Sequence, residues 1–334
     1  MKILITGAAG FIGSNAVRFL SKNKSNTLLG IDSLTYAVDT KNLLELKNLD
    51  NFDFYKININ DEKKTKKIIA EFQPDKILHF AAESHVDNSI KGPEIFLKSN
   101  IMGTFNLIEQ SREYIKLISK KEKNNFLFVH ISTDEVFGDL GISKKNFTEK
   151  SPYNPSSPYS ASKASSDLLI KSWIRTYSFP AIITNCSNNY GPYQNKEKLI
   201  PKVIFNFLNG KKIPIYGVGD QIRDWLYVDD HISALELILK SGKKGRSYNI
   251  GSNTKLKNIE IIKYIFELLK QKSLIKNEII FEDKIDFVED RPGHDIHYGI
   301  NSNKLKKETG WLPEVSLKAG LSKTIDWYAD YFKS

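Results

Sequence analysis

An apolar run at residues 2–6 leads straight into Thr6-Gly7-Ala8-Ala9-Gly10-Phe11-Ile12-Gly13, followed by a helical apolar pattern through Leu20. No other stretch constrains the fold as much as this order of strand, glycine-rich turn and helix. Glycines let the turn close tightly and bring backbone N–H groups near a pyrophosphate, whose charge the helix N-terminus favours. The spacing is G-x-x-G-x-x-G rather than G-x-G-x-x-G, but its place between a strand and a helix is the context a dinucleotide-binding turn requires. A second apolar strand at 27–31 ends in Asp32, close to the ~20-residue offset at which a carboxylate takes the adenosine ribose hydroxyls. Such a carboxylate repels a 2′-phosphate, so NAD is expected rather than NADP.

The alternation continues. A strand at 52–57, a charged helix at 61–71, a strand entering Phe80-Ala81-Ala82 and a long helical stretch at 93–121 precede an apolar strand at 126–131. Strands alternating with helices predict an α/β fold of the Rossmann type, a doubly wound parallel sheet. The expected organisation is an NAD-binding domain over 1–184 and a smaller α/β lobe over 185–334, some of whose segments cross back. The net charge of +10 raises the question of nucleic acid, but the basic pairs (Lys63-Lys64, Lys66-Lys67, Lys120-Lys121, Lys211-Lys212) are scattered. They read as solvated surface, and no nucleic-acid partner is expected. Cys186 is the sole cysteine, which excludes an intramolecular disulfide and a cysteine zinc site; no metal is expected. The sequence reaches Gly7 without the apolar core of a signal peptide and contains no run long enough to span a bilayer, so a cytoplasmic protein with no membrane partner is expected.

The 126–131 strand ends in Ser132-Thr133-Asp134-Glu135. Adjacent carboxyls in different environments can be driven to different pKa values, one becoming an acid and the other a base. Side chains alternate along a strand, so Thr133, Asp134 and Glu135 can share one site only if the backbone turns at about Thr133. A plainer reading also fits: Ser132 or Thr133 as an N-cap, with the acids favouring the first helical turn. Further on, Ser157 is a natural N-cap and Pro158 a natural first helical residue, which puts Tyr159 and Lys163 four apart on one helix face. An ammonium beside a phenol stabilises the phenolate and makes tyrosine a usable base.

The glycine turn, the strand-end hydroxyl and Tyr159-x-x-x-Lys163 resemble the extended short-chain dehydrogenase/reductase superfamily. The runs Ser132-Thr133-Asp134-Glu135-Val136-Phe137-Gly138 and Tyr159-Ser160-Ala161-Ser162-Lys163 resemble, more narrowly, the dTDP-glucose 4,6-dehydratases, and the likeness extends essentially along the whole chain. The motifs of the second half, from 185–192 through Glu197-Lys198-Leu199, Arg223-Asp224-Trp225 and Tyr248-Asn249 to Arg291-Pro292-Gly293-His294, also resemble that family. The resemblance implies a catalytic set of Thr133, Asp134, Glu135, Tyr159 and Lys163, with Asp134 as acid and Glu135 as base. It implies NAD held by Gly7, Gly10, Phe11, Ile12, Gly13, Asp32, Asn58, Ile59, Ala81, Ala82, Asn100, Tyr159, Lys163 and Asn188. It implies dTDP-glucose held by Ser84, His85, Thr133, Asn189, Lys198, Leu199, Arg223, Asn249, Arg291, His294 and Tyr298. A homodimer through the helices at 100–121 and 159–177 is implied as well. Asn58, Asn88, Phe137 and Asn195-Lys196 depart from the family pattern. UDP-glucose as substrate, a UDP-sugar epimerase, a decarboxylase and a non-catalytic NAD sensor are the alternatives. An epimerase has no use for an acid and a base at C6 and C5.

Overall fold

The computed structural model describes residues 1–36, 38, 40–141, 143 and 145–332. Its strands, in chain order, are β1 (Lys2–Thr6), β2 (Thr27–Asp32), β3 (Phe52–Lys56), β4 (Lys76–His79), β5 (Leu127–Thr133), β6 (Ala181–Cys186), β7 (Asn188–Tyr190), β8 (Ile213–Tyr216), β9 (Ile222–Tyr227), β10 (Ser247–Ile250), β11 (Lys255–Lys257) and β12 (Ile285–Val288). Seven of them form one sheet in the order β10-β6-β5-β4-β1-β2-β3, and every pairing within it is parallel. The winding reverses direction between β1 and β4, which opens a crevice at the carboxyl ends of those strands.

Parallel strands covered on both faces must be apolar on both, and β5 is buried along its whole length. Alternation then divides the core. Ile3 and Ile5 of β1 pack with Val17, Leu20, Leu235 and Ile238 on one face, while Leu4 packs with Ile69, Leu107, Ile108 and Ile170 on the other. The helices Phe11–Leu20 and Val228–Ser241 thus cover the first face, and Glu62–Phe72, Gly103–Leu117 and Pro158–Tyr177 the second.

From β7 onward a second core forms around Ile200, Val203, Phe207, Ile261, Phe266 and Leu321. It supports a three-stranded sheet, β11-β9-β7, and a two-stranded one, β12-β8. Even so, β10 pairs with β6 of the large sheet, and Val228–Ser241 packs against Phe11–Leu20. No helix among the described residues is long and apolar enough to cross a membrane.

The helical stretch expected at 93–121 is not continuous. It comprises Glu94–Phe96, a π-helical turn at Leu97–Met102 and Gly103–Leu117, and it breaks at the extended Ile118 before a capped segment, Lys120–Asn125. Gly103 follows the π turn, and a Cβ there would lie 2.6 Å from Cδ1 of Ile59. π turns recur at functional sites. Here the widened turn carries Asn100, which is buried.

Candidate active site

At the switch point Gly7 has φ +69° and donates its N–H to the Ile31 carbonyl at 2.9 Å. A Cβ on Gly7 would stand 2.7 Å from the Ala81 nitrogen, and one on Gly13 would stand 2.1 Å from the Gly7 carbonyl oxygen. The glycines therefore set both the turn and the close approach of helix to strand. They border a cavity of about 300 Å³, whose wall also includes Gly10, Phe11, Ile12, Asp32, Asn58, Ile59, Ala81 and Ala82. This cradle, with a helix N-terminus beneath it and a carboxylate at its far end, fits a dinucleotide. Asp32 accepts the backbone N–H groups of Ala9 (3.1 Å) and Leu34 (2.8 Å). Burial raises its carboxyl above the usual range, and those amides work the other way. Asp32→Ser is expected to raise affinity for NADP relative to NAD by about tenfold or more, because the repelling charge is gone; fluorescence titration with each dinucleotide measures it.

The backbone does turn at Thr133. Its hydroxyl accepts the Glu135 N–H at 3.3 Å, capping a 3₁₀ turn, Asp134–Phe137. Gly138 closes the turn at φ +81°, where a Cβ would lie 2.1 Å from the Asn154 carbonyl oxygen. Thr133 is thus an N-cap, and Thr133, Asp134 and Glu135 also line one cavity with Tyr159 and Lys163. Asp134 is almost fully buried, with one carboxyl oxygen lacking a partner. Burial, then the charges of Glu135 and Asp224, pushes its carboxyl well above the normal range. Glu135 is also raised by burial, but Arg291, Arg223 and Lys198 oppose the rise. The two neighbours are thereby driven apart in the sense an acid and a base require.

Ser157 and Ser160 form a reciprocal capping box, and Pro158 is the first residue of the helix Pro158–Tyr177. The Tyr159 N–H is further fixed by the Ser89 hydroxyl at 3.1 Å. Burial, followed by Glu135, pushes the Tyr159 phenol well above 10, while the Thr133 hydroxyl lowers it. Lys163 is brought down to about 8 by burial. Its Nζ donates to the Ile131 carbonyl at 2.8 Å and lies 3.5 Å from His130 Nε2. The phenol is not a ready base by lysine contact alone.

Of the other residues singled out from the sequence, Ser84, Asn188, Asn189 and Lys198 are on the cavity wall. Lys198 Nζ donates to the Ser84 carbonyl at 2.8 Å, joining the second half of the chain to the first. Arg223, Arg291, His294 and Tyr298 lie off that wall. The charges of Arg223 and Arg291 nevertheless reach Glu135, and Arg223 stacks on the Tyr298 ring at 4.1 Å. Arg291 is held by Asp87 at 2.9 Å and His294 by Asp290 at 2.6 Å.

Four more expected contacts are absent from the wall. Asn100 spends its amide on the backbone N–H (2.8 Å) and carbonyl (3.0 Å) of Glu83 and on the Ser162 hydroxyl (2.8 Å), tying the strand-end loop to the Tyr159 helix. Asn249 is fully buried in β10 and donates to the Phe147 carbonyl. His85 caps a short helix, accepting from Asn88, and Leu199 packs on the second core. Sequence reading missed Thr35, Glu83, Cys186, Gln194 and Glu197, all on the wall. Glu83 was open to discovery, as the residue before Ser84 in the same loop. The Phe137 ring stacks on Phe147 and meets Tyr153 edge-on, both at 5.4 Å.

The profile of the family described as GDP-mannose 4,6 dehydratase matches residues 4–324. A dTDP-glucose 4,6-dehydratase of Salmonella typhimurium is 48% identical over 98% of this chain and 92% of its own length. The chain belongs to the dTDP-glucose 4,6-dehydratase family. Another family member, from Haemophilus influenzae, is 48% identical over 98% of both chains. Among solved structures, DesIV, the dTDP-glucose 4,6-dehydratase of Streptomyces venezuelae with NAD and TYD bound, matches at TM-score 0.90 with 38% identity, covering 99% of this chain and 97% of that one. A UDP-glucose 4-epimerase of Thermotoga maritima shares the fold at TM-score 0.85, but at 28% identity.

Proposed function

We propose that this chain converts dTDP-glucose to dTDP-4-keto-6-deoxyglucose by loss of water across C5 and C6. The observation that carries the reading is the pair Asp134-Glu135 in one cavity with Tyr159 and Lys163, because oxidation and re-reduction alone would need only the latter two. The glycine turn, Asp32, Asn58, Ile59, Ala81, Ala82 and Asn188 would hold the cofactor, and Asn100 would act by fixing the loop around Glu83. NAD held there would supply a hydride acceptor for C4 and a hydride donor for C6, and the positive charge of its oxidised ring would favour a phenolate at Tyr159. Tyr159 removes the C4 hydroxyl proton with the Thr133 hydroxyl beside it. The ketone formed on the sugar makes the C5 hydrogen acidic, and Glu135 removes it. Asp134, kept protonated by burial, donates to the departing C6 hydroxyl, and once hydride has reached C6 a proton returns to C5 to complete the product. Ser84, Asn189, Lys198, Arg223 and Arg291 are assigned to the nucleotide-sugar, the arginines suiting its diphosphate by their planar fork and permanent charge.

Mass spectrometry of dTDP-glucose and, separately, UDP-glucose after incubation with the protein and NAD tests the reading. Loss of one water from the dTDP sugar is expected, with little change in the UDP sugar. An isomer of unchanged mass would make this an epimerase.

A cytoplasmic homodimer is part of the same reading. Ile95, Leu97, Met102 and Phe105 on one helical stretch and Leu168 on the Pro158–Tyr177 helix are exposed, more apolar surface than solvated helix faces need. A two-fold partner presenting the same helices would cover them. Met102→Glu combined with Leu168→Glu is expected to yield monomers, read by light scattering.

A further inference from the structure

Residues 159, 163 and 167 are spaced i, i+4, i+8 along Pro158–Tyr177, so Tyr159, Lys163 and Asp167 fall on one stripe of the helix. All three are buried, Asp167 completely. One carboxyl oxygen of Asp167 accepts from the Tyr153 hydroxyl (2.9 Å), the Ser132 hydroxyl (3.0 Å) and the Asn185 amide (3.2 Å). The same Asn185 nitrogen donates to the Thr133 carbonyl at 3.1 Å. The other carboxyl oxygen lies 3.3 Å from His130 Nε2, which is itself 3.5 Å from Lys163 Nζ. A single imidazole thus separates the buried carboxylate from the buried ammonium.

We propose that Asp167 is a positioning residue for the oxidising pair: its carboxylate keeps Lys163 charged across His130 and holds the end of β5 where Thr133 meets Tyr159. The inference rests on the reading of Tyr159 and Lys163 as that pair.

The surroundings leave Asp167 as the anion that offsets Lys163. On β5, His130 is held neutral, at about 4, by burial and by Lys163. On β4, His79 is likewise kept well below its usual value by burial, and its ring nitrogens face the hydroxyls of Thr6 (2.7 Å) and Thr104 (2.9 Å). On β6, the Cys186 thiol is raised to about 12 by burial and stays neutral. Tyr153, from the loop before the helix, is a donor to Asp167 with its phenol pushed up by burial. Farther along the helix, Lys171 sits over the Tyr153 ring at 3.9 Å. Asp134 and Glu135 lie beyond Thr133, in the cavity. A lysine in such a place loses its proton readily unless an opposite charge is near. The Asp167 carboxyl is held below the usual carboxylate range against its burial, by His130 first and then by Lys163 and the Tyr153 hydroxyl.

The test is the pH profile of kcat with dTDP-glucose for Asp167→Asn, Asp167→Glu and Tyr153→Phe. Removing the charge should let Lys163 lose its proton earlier, so the alkaline limb of Asp167→Asn moves to lower pH by about one unit or more. Its KM should move little, and activity at low pH should be largely kept. Asp167→Glu restores the charge and should return the limb towards its original position. Tyr153→Phe disturbs the same network without changing its charge and should leave the limb where it was. If Asp167→Asn does not fold, Asp167→Ser carries the same expectation. A uniform fall in kcat at every pH with an unmoved limb would reduce Asp167 to a structural role. Failure of the underlying reading would look different, as a Lys163→Met variant with undiminished kcat.

Discussion

Tyr159→Phe is expected to lower kcat for dTDP-glucose by about 10²–10⁴-fold, the usual contribution of a positioned general base. The ring is buried and its backbone is pinned by Ser89 and the Ser157 capping box. Loss of one hydroxyl should therefore leave the helix and the cavity intact, with KM and thermal stability close to those of the unaltered protein. The pH dependence has a defined sign. The phenol alone is held well above 10 by burial and by Glu135, so it serves as base only where the charges of Lys163 and of bound NAD would favour the phenolate. In the unaltered enzyme kcat should fall on the acid side as that phenolate is lost and on the alkaline side as Lys163 loses its proton. Comparing kcat with the dissociation constant of dTDP-glucose separates the chemical effect from binding. A variant retaining more than a tenth of the activity would shift the base elsewhere, and Glu135, the nearest candidate, would then serve at two carbons.

The second large effect is Asp134→Asn. An amide fills the same space but cannot donate a proton to a leaving hydroxyl as a carboxylic acid does, and a loss of about 10²-fold in water release is expected. Earlier chemistry at C4 and C5 depends on Tyr159 and Glu135, so exchange of the C5 hydrogen with deuterated water should continue. That split, measured by mass spectrometry of recovered sugar and product, distinguishes an acid at C6 from a group that merely shapes the site. Equal impairment of exchange and dehydration would remove Asp134 from the acid role. In the unaltered enzyme, dehydration should persist into the neutral range, because burial and two neighbouring carboxylates hold the Asp134 proton well above the normal carboxylate range.

Much of this was legible in the chain because each signal was local. A glycine turn between strand and helix, an aspartate at the next strand end, and a Tyr/Lys pair behind Ser157-Pro158 each state their geometry within a few residues. The alternation of apolar strands with helices likewise revealed the parallel sheet, since strands covered on both faces are apolar throughout. What stayed hidden depends on distance along the sequence. Asn249 looked like a ligand-binding polar residue and is instead a buried strand residue, because β10 returns to pair with β6. Asn100 looked like a cofactor contact and instead clamps the backbone of Glu83, because a π turn rotates it inward. The long helix at 93–121 was continuous in its periodicity, yet Ile118 breaks it in an extended conformation.

The sequence by itself therefore determined the order of elements and the dinucleotide turn, which follow from short-range steric and periodic rules, and it named the candidate reacting side chains through the family resemblance. Only the tertiary structure decided that Asp134 and Glu135 share a cavity, and that they are unequal within it. That inequality arises because the protonation of a carboxyl is set by its burial and by charges from remote segments. Asp224 raises Asp134 from β9, while Arg223, Arg291 and Lys198 restrain Glu135 from three separate stretches of the second half. Such long-range electrostatics exists only once the chain is folded.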